Sequence, residues 1–364
     1  TRRSSDLDAD VKVRILALLV LLPLTVLPVC GVDLSFSQAD QVLESAQDYG
    51  VSTDGGLGQG VQNLLEAAVD QLGGLLRHSL GTALKLLAVV LLCGLAQGLE
   101  EDKPVGLGAV ELAGALAITA LTVSDMTTMV GLGRETISKM GDFADLILPA
   151  MATLTAATGS VTGAAVRQGV TVIFSDLLIT AVDSLLVPLV YAYIALSCAQ
   201  AALGNGGLGK LAGLVRGTAV FFLTAMLLAF TGYLTASGAI AGSVDAAVVK
   251  TARMTISRAV PVVGGILSDA AESALASTSV LRGTVGVAGM LVVLAICLTP
   301  FLQLALHYLA YKLAAALAGT VDHSRLGALM DSIGGAFGLL LGMTGSCALM
   351  LLLSIVSAVS AVAP

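Results

Sequence analysis

Apolar residues in this chain fall in long runs and lack the alternation that is typical of half-buried strands. Four stretches contain no Asp, Glu, Lys or Arg, and they cover residues 184–209, 217–244, 283–306 and 332–364. A helix needs about 20 apolar residues to cross the hydrocarbon core of a bilayer. In lipid the backbone must satisfy its own hydrogen bonds, so runs of this length without a period of two are helices. The pattern therefore predicts an all-α, polytopic integral membrane protein.

Further apolar segments raise the predicted number of spans to about seven or eight, with additional interfacial or re-entrant helices. These segments cover residues 80–99, 105–123, 146–166, 170–186 and 301–317. Segment 146–166 is either a full span or a re-entrant pair that meets at Gly159 and Ser160. Pro300 should kink or end the helix that begins at 283. Residues 131–142 form a predicted amphipathic helix.

The N-terminal 30 residues have the pattern of a targeting signal. Basic residues precede an apolar run from 15 to 29, which Pro23 and Pro28 interrupt and which is too short for an ordinary span. We expect either cleavage near Cys30 or retention as an anchor. Residues 31–79 are predicted to be a short acidic extracytoplasmic segment, and residues 80–364 a multi-span helical membrane domain.

Composition narrows the possible functions. Charged residues make up 12% of the chain, against about 25% in ordinary globular proteins. The net charge of −7 argues against a nucleic-acid-binding surface. The five cysteines and three histidines show no spacing typical of a metal site, and no nucleophile–base pair is evident. We therefore predict no metal, no cofactor and no enzymatic activity.

A short sequence recurs at an offset of 119 residues. The segment from Arg134 to Lys139 resembles that from Arg253 to Arg258, and each precedes a stretch rich in small residues and then a long apolar run. One interpretation is an internal duplication covering about 131–190 and 250–310, as transporter folds often contain. The other is chance similarity between sequences of low complexity.

Two sets of residues are candidates for a pathway or an interface. The first lies between residues 250 and 269 and forms either a re-entrant hairpin along a pathway or a helix at the membrane surface; it comprises Arg253, Arg258, Pro261, Gly264, Gly265 and Asp269. Within it, Ser268 and Asp269 are predicted to cap a helix. The second set is Asp176 and Asp183, which are two helical turns apart and could line a polar cavity or pair with Arg167 or Lys312. The glycine-rich segment 204–210 is interpreted as a flexible loop.

Three segments together resemble the stage III sporulation protein AE family of endospore-forming bacteria. They are residues 261–269, residues 281–289 and the helix of Arg134 that leads into 146–149. The resemblance extends from about residue 64 to the C-terminus. It implies a multi-span protein in the mother-cell membrane around the forespore.

The same resemblance implies a role and a set of partners. The role is a non-enzymatic membrane subunit, such as the permease-like core, of a secretion-like channel complex between mother cell and forespore that sporulation requires. The partners are other stage III sporulation proteins of the same operon and a forespore-side protein. The alternative function is an autonomous secondary transporter of an unknown small solute.

Overall fold

Helices account for every regular element that the computed structural model describes. The described residues are 37–49, 56–99, 104–157, 161–259, 264–321 and 325–360. All of them except Ser37 belong to one compact unit, Gln38–Pro364. The predicted signal segment 1–30 lies outside the described residues. The all-α prediction is confirmed for the part of the chain that is described.

The helices are long and follow one another with short connections. In chain order they are α1 (Ser37–Asp48), α2 (Gly56–Leu99), α3 (Pro104–Ala157), α4 (Val161–Ala181), a π-helical turn (Val182–Leu186), α5 (Val187–Leu203), α6 (Gly206–Ala259), α7 (Gly264–Val321) and α8 (Arg325–Ser360). Gly204 ends α5 in the left-handed conformation, with φ of 67°, and its N–H donates to the carbonyl of Gln200. This two-residue connection replaces the flexible loop predicted for 204–210, because Lys210 lies inside α6.

Six helical segments among the described residues are long and apolar enough to cross a membrane. They are Gly58–Ala96, Ala109–Ala156, Gly169–Leu203, Gly206–Ala236, Val280–Thr320 and Arg325–Val359. Each exceeds the roughly 20 residues that a bilayer requires. The chain is therefore a multi-pass helical membrane protein. The larger count of seven or eight spans stays a prediction.

Several segments predicted as separate elements are parts of single helices. Helix α2 joins the polar residues before 80 to the predicted span 80–99, and α3 runs from the span at 105–123 through the amphipathic segment to Ala157. Pro300 was predicted to kink or end its helix, and it does not end it, because α7 continues from Gly264 to Val321. Pro300 removes one backbone hydrogen bond, and the helices packed around α7 offset that loss.

Helices α7 and α8 form the centre of the bundle. In their most apolar stretches 50% and 56% of the residues are buried, against 17% in α6. Small residues allow close approach here: a Cβ added at Gly289 of α7 would overlap Ile147 of α3. Small-residue faces of this kind let membrane helices pack backbone to backbone.

Contacts along α7 show the direction of its neighbours. Residue numbers in α2 and α7 rise together through the pairs Gly60–Leu291, Gln71–Thr299 and His78–His307. They run oppositely in α3 and α7, through Asp125–Tyr311 and Ile147–Gly289, and in α8 and α7, through Gly338–Tyr308 and Val359–Gly286. The consecutive spans α2 and α3, and likewise α7 and α8, thus point in opposite directions, as helices that each cross the membrane once must do.

Candidate functional site

The first predicted set of site residues lies where α6 ends and α7 begins. Arg253 and Arg258 belong to the last two turns of α6, and Gly264 and Gly265 are the first residues of α7. Pro261 lies outside the described residues, as do the side chains of the others. Asp269 lies within α7, so the prediction that Ser268 and Asp269 cap a helix is wrong. The re-entrant hairpin itself stays a prediction.

The second predicted set, Asp176 and Asp183, is not brought together in one cavity. Asp183 accepts a hydrogen bond from Arg134 Nε of α3 at 2.8 Å, and both side chains are about half exposed, at 51% and 49%. Lys312, one of the expected partners, pairs instead with Asp331 at 2.6 Å. Asp176 is exposed on α4. The side chain of Arg167, the other expected partner, lies outside the description.

Asp183 lies in the π-helical turn between α4 and α5. In this turn the N–H of Val187 donates to the carbonyl of Val182, five residues back. Pro188 explains the widened turn, since it has no N–H for the carbonyl of Ser184 and its ring would clash with that carbonyl in a regular α-helix. The extra residue in the turn changes the register of α5 relative to α4. π-Helical turns are frequent at functional sites.

A polar cluster that the sequence analysis missed lies between α2, α3 and α7. It consists of His78, Asp125 and His307, whose potential ligand atoms all lie within 4.8 Å of one another. The two imidazole rings have centroids 5.9 Å apart. His307 is 4% exposed, Asp125 is half-buried and His78 is exposed. The cluster therefore has a buried end at α7 and an open end at α2.

Hydrogen bonds fix the buried members of this cluster. His307 Nδ1 lies 2.8 Å from the carbonyl oxygen of Gln303. A carbonyl only accepts, so Nδ1 carries the proton and Nε2 of the neutral ring has the lone pair. His307 Nε2 is buried and has no hydrogen-bond partner within the described part of the chain. Asp125 is fixed in turn, because Tyr311 Oη donates to its Oδ2 at 3.1 Å.

Aromatic side chains close the inner wall of the cluster. Tyr311 and Phe337, both fully buried, have ring centroids 5.0 Å apart, and Phe337 lies 5.6 Å from the His307 ring. Tyr311 Oη also lies 3.3 Å from Thr122 Oγ1 of α3. A buried polar network of this kind is costly unless its groups are paired. His307 Nε2 is the group of this network that has no partner among the described residues.

Local spacing contained part of the signal for this cluster. Gln303, His307 and Tyr311 are four residues apart and share one face of α7. Thr122 and Asp125 are three residues apart and likewise share one face of α3. What spacing did not reveal is that these two faces meet each other and His78, since the three segments are far apart in the chain. The spacing of the three histidines along the sequence consequently did not predict the site.

The fold and the cluster define a class: a multi-pass helical membrane protein with ionisable residues enclosed between its spans. Comparison with known proteins gives the family. The sequence model of stage III sporulation protein AE matches residues 50–362, and the chain belongs to this family. The resemblance inferred from the sequence is thereby confirmed, as is a role in sporulation.

One curated relative is stage III sporulation protein AE of Bacillus subtilis (strain 168). It is 24% identical over 202 residues, which cover 56% of this chain and 51% of that relative. The matched part thus spans about half the length of the relative. No solved structure matches the chain. The name of the matched family refers to sporulation and indicates no enzymatic activity.

Proposed function

We propose that this chain is a non-enzymatic membrane subunit of a channel complex that joins mother cell and forespore during sporulation. The observation that supports this proposal most strongly is the combination of six apolar helices with membership of a stage III sporulation family. On this proposal the protein lies in the mother-cell membrane around the forespore. Its partners are other stage III sporulation proteins of the same operon and a forespore-side protein.

The distribution of burial supports a membrane subunit with a fixed core. Helices α7 and α8 are packed on most sides, whereas α6 presents Leu214, Phe221 and Leu228, each about two-thirds exposed at 68%, 68% and 66%. These three residues are seven apart and form one stripe along the helix. Such a stripe is stable against lipid or against another apolar protein surface. A permease-like core would have this arrangement, with a rigid centre and an apolar periphery.

Affinity purification from sporulating cells tests this proposal. The tagged chain should be recovered with other stage III sporulation proteins when mild detergent extracts are analysed by mass spectrometry. A tagged multi-pass protein of unrelated function, purified from the same cells, provides the control for non-specific recovery. Recovery of the chain with nothing beyond that background would contradict the proposal.

The polar cluster favours a second candidate, an autonomous secondary transporter. Ionisable residues between spanning helices often mark a substrate or ion pathway, and His78, Asp125 and His307 are such residues. Under this function the purified chain alone would move a solute across liposome membranes, and Asp125→Asn would abolish the flux. Under the channel-complex function, liposomes containing only this chain would be inactive.

A further inference from the structure

We propose that His78, Asp125 and His307 form a binding site for one divalent transition-metal ion of the Zn²⁺ type. This inference rests on the geometry of the cluster and is independent of the proposed role in a channel complex. Its three potential ligands come from three different helices, α2, α3 and α7. A bound ion would therefore connect segments that are distant in sequence.

The donor set fits this class of metal. Two imidazole nitrogens and one carboxylate are ligands that Zn²⁺ accepts in sites with an open fourth position, and two histidines with one carboxylate also bind Fe²⁺. Mg²⁺ and Ca²⁺ prefer oxygen ligands throughout. The two nitrogens therefore favour a transition metal over the alkaline-earth ions.

The surroundings of the ligands fit as well. Metal-binding histidines almost always donate their other ring N–H to a carbonyl or carboxylate, which fixes the ring and its tautomer. His307 does this through Nδ1 to the carbonyl of Gln303, and its buried Nε2 has no hydrogen-bond partner among the described residues. Asp125 accepts from Tyr311 at 3.1 Å, which orients the carboxylate. The outer contacts of a metal site are thus in place around the two inner ligands.

Closing the site requires a small movement at its open end. Zn²⁺ at about 2.0–2.2 Å from each ligand would hold the ligand atoms about 3–4 Å apart, and they lie within 4.8 Å of one another. His78 is exposed, so rotation of its side chain can bring its nitrogen closer without disturbing the core.

The test uses the full chain, purified in detergent without a histidine tag and stripped with a chelator. Zn²⁺ is then titrated in competition with a chromophoric chelator. We expect one ion per chain, with affinity at least tenfold weaker in His78→Ala, His307→Ala and Asp125→Asn. Tyr311→Phe, which removes only the outer hydrogen bond, should weaken binding by about 10–100-fold. Asp145→Asn, an exposed change on the same helix as Asp125, should bind like the unchanged protein.

Two further measurements keep the proposal testable if a variant fails to fold. X-ray absorption of the unchanged chain loaded with Zn²⁺ should show nitrogen and oxygen ligands at about 2.0–2.1 Å, including imidazole, whereas a shell at about 2.3 Å would identify cysteine sulfur. An excess of Mg²⁺ should leave the bound Zn²⁺ in place. The proposal is overturned by absence of Zn²⁺ binding, by sulfur ligation, by displacement with Mg²⁺, or by affinity that all the cluster variants leave unchanged.

Discussion

The Arg134–Asp183 ion pair and the polar cluster of His78, Asp125 and His307 both join distant segments of the chain, and they differ in burial. Arg134 and Asp183 form an ion pair between α3 and the π-helical turn, and about half of each side chain is exposed. His307 lies in the polar cluster of α2, α3 and α7, is 4% exposed and has a ring nitrogen without a partner among the described residues. The two charges of the ion pair satisfy each other. A buried nitrogen without a partner is costly, and the proposed metal ion would supply the missing interaction.

This difference in burial has an energetic consequence. The stability of the cluster depends on packing and hydrogen bonds from neighbouring helices, whereas the ion pair depends mainly on its own two side chains. Exposed ion pairs contribute about 0–1 kcal/mol. The cluster is held by fully buried aromatic rings and by hydrogen bonds from helix to helix. Changes around the cluster should therefore affect the whole bundle, and changes at the ion pair should have small effects.

The largest expected effect is at the aromatic wall of the cluster. Phe337→Ala removes a fully buried ring that contacts both His307 and Tyr311. It should lower the free energy of unfolding by about 3–5 kcal/mol, because the lost contacts leave a cavity. Equilibrium unfolding in detergent micelles measures the change. Phe221→Ala, at a ring that is 68% exposed on α6, is the matched control and should cost less than about 0.5 kcal/mol.

A smaller effect is expected from the hydroxyl group that connects α7 to α3. Tyr311→Phe keeps the ring and removes the donor to Asp125 at 3.1 Å. The free energy of unfolding should fall by about 1–3 kcal/mol, since a half-buried carboxylate loses its hydrogen bond. Tyr191→Phe, at an exposed tyrosine of α5, should leave stability nearly unchanged. Equal stability of the two variants would mean that the Asp125 contact does not form.

The smallest effect is expected at the ion pair. Arg134→Gln, Asp183→Asn and the double variant form a double-mutant cycle, and the coupling energy should be about 0.2–1 kcal/mol because both side chains are half exposed. Equilibrium unfolding in the same micelles gives the change in the free energy of unfolding for each of the three variants. A coupling of about 3 kcal/mol or more would mean that the pair lies in an apolar environment, and the contrast with the cluster would then be lost.

The existence of the membrane helices could be predicted from the sequence, and their bounds only in part. The uncharged run 217–244 lies within α6. Residues 332–360 of the second run lie within α8. Bounds were missed where a span was predicted to begin at residue 80, because α2 already begins at Gly56, and where Pro300 was predicted to kink or end its helix. Pro300 removes a single hydrogen bond from a helix that its neighbours hold in place.

The candidate site was less predictable, because it depends on which helix faces meet. Spacing correctly placed Asp183 in a helical segment but did not predict its partner Arg134, since that residue lies on another helix 49 residues away. His78, Asp125 and His307 come from three helices whose mutual rotation is set by packing of small residues such as Gly289 against Ile147. Charge counts and periodicity contain no information about that rotation.

Insertion of the six long helices in a lipid bilayer is the claim on which the rest depends. Washing membranes of cells that produce the chain with alkaline carbonate tests it most directly, because this treatment opens vesicles and releases proteins that are only bound at the surface. If the helices are inserted in lipid, the chain stays in the membrane pellet and is extracted only by detergent. Release of the chain into the carbonate supernatant would contradict it.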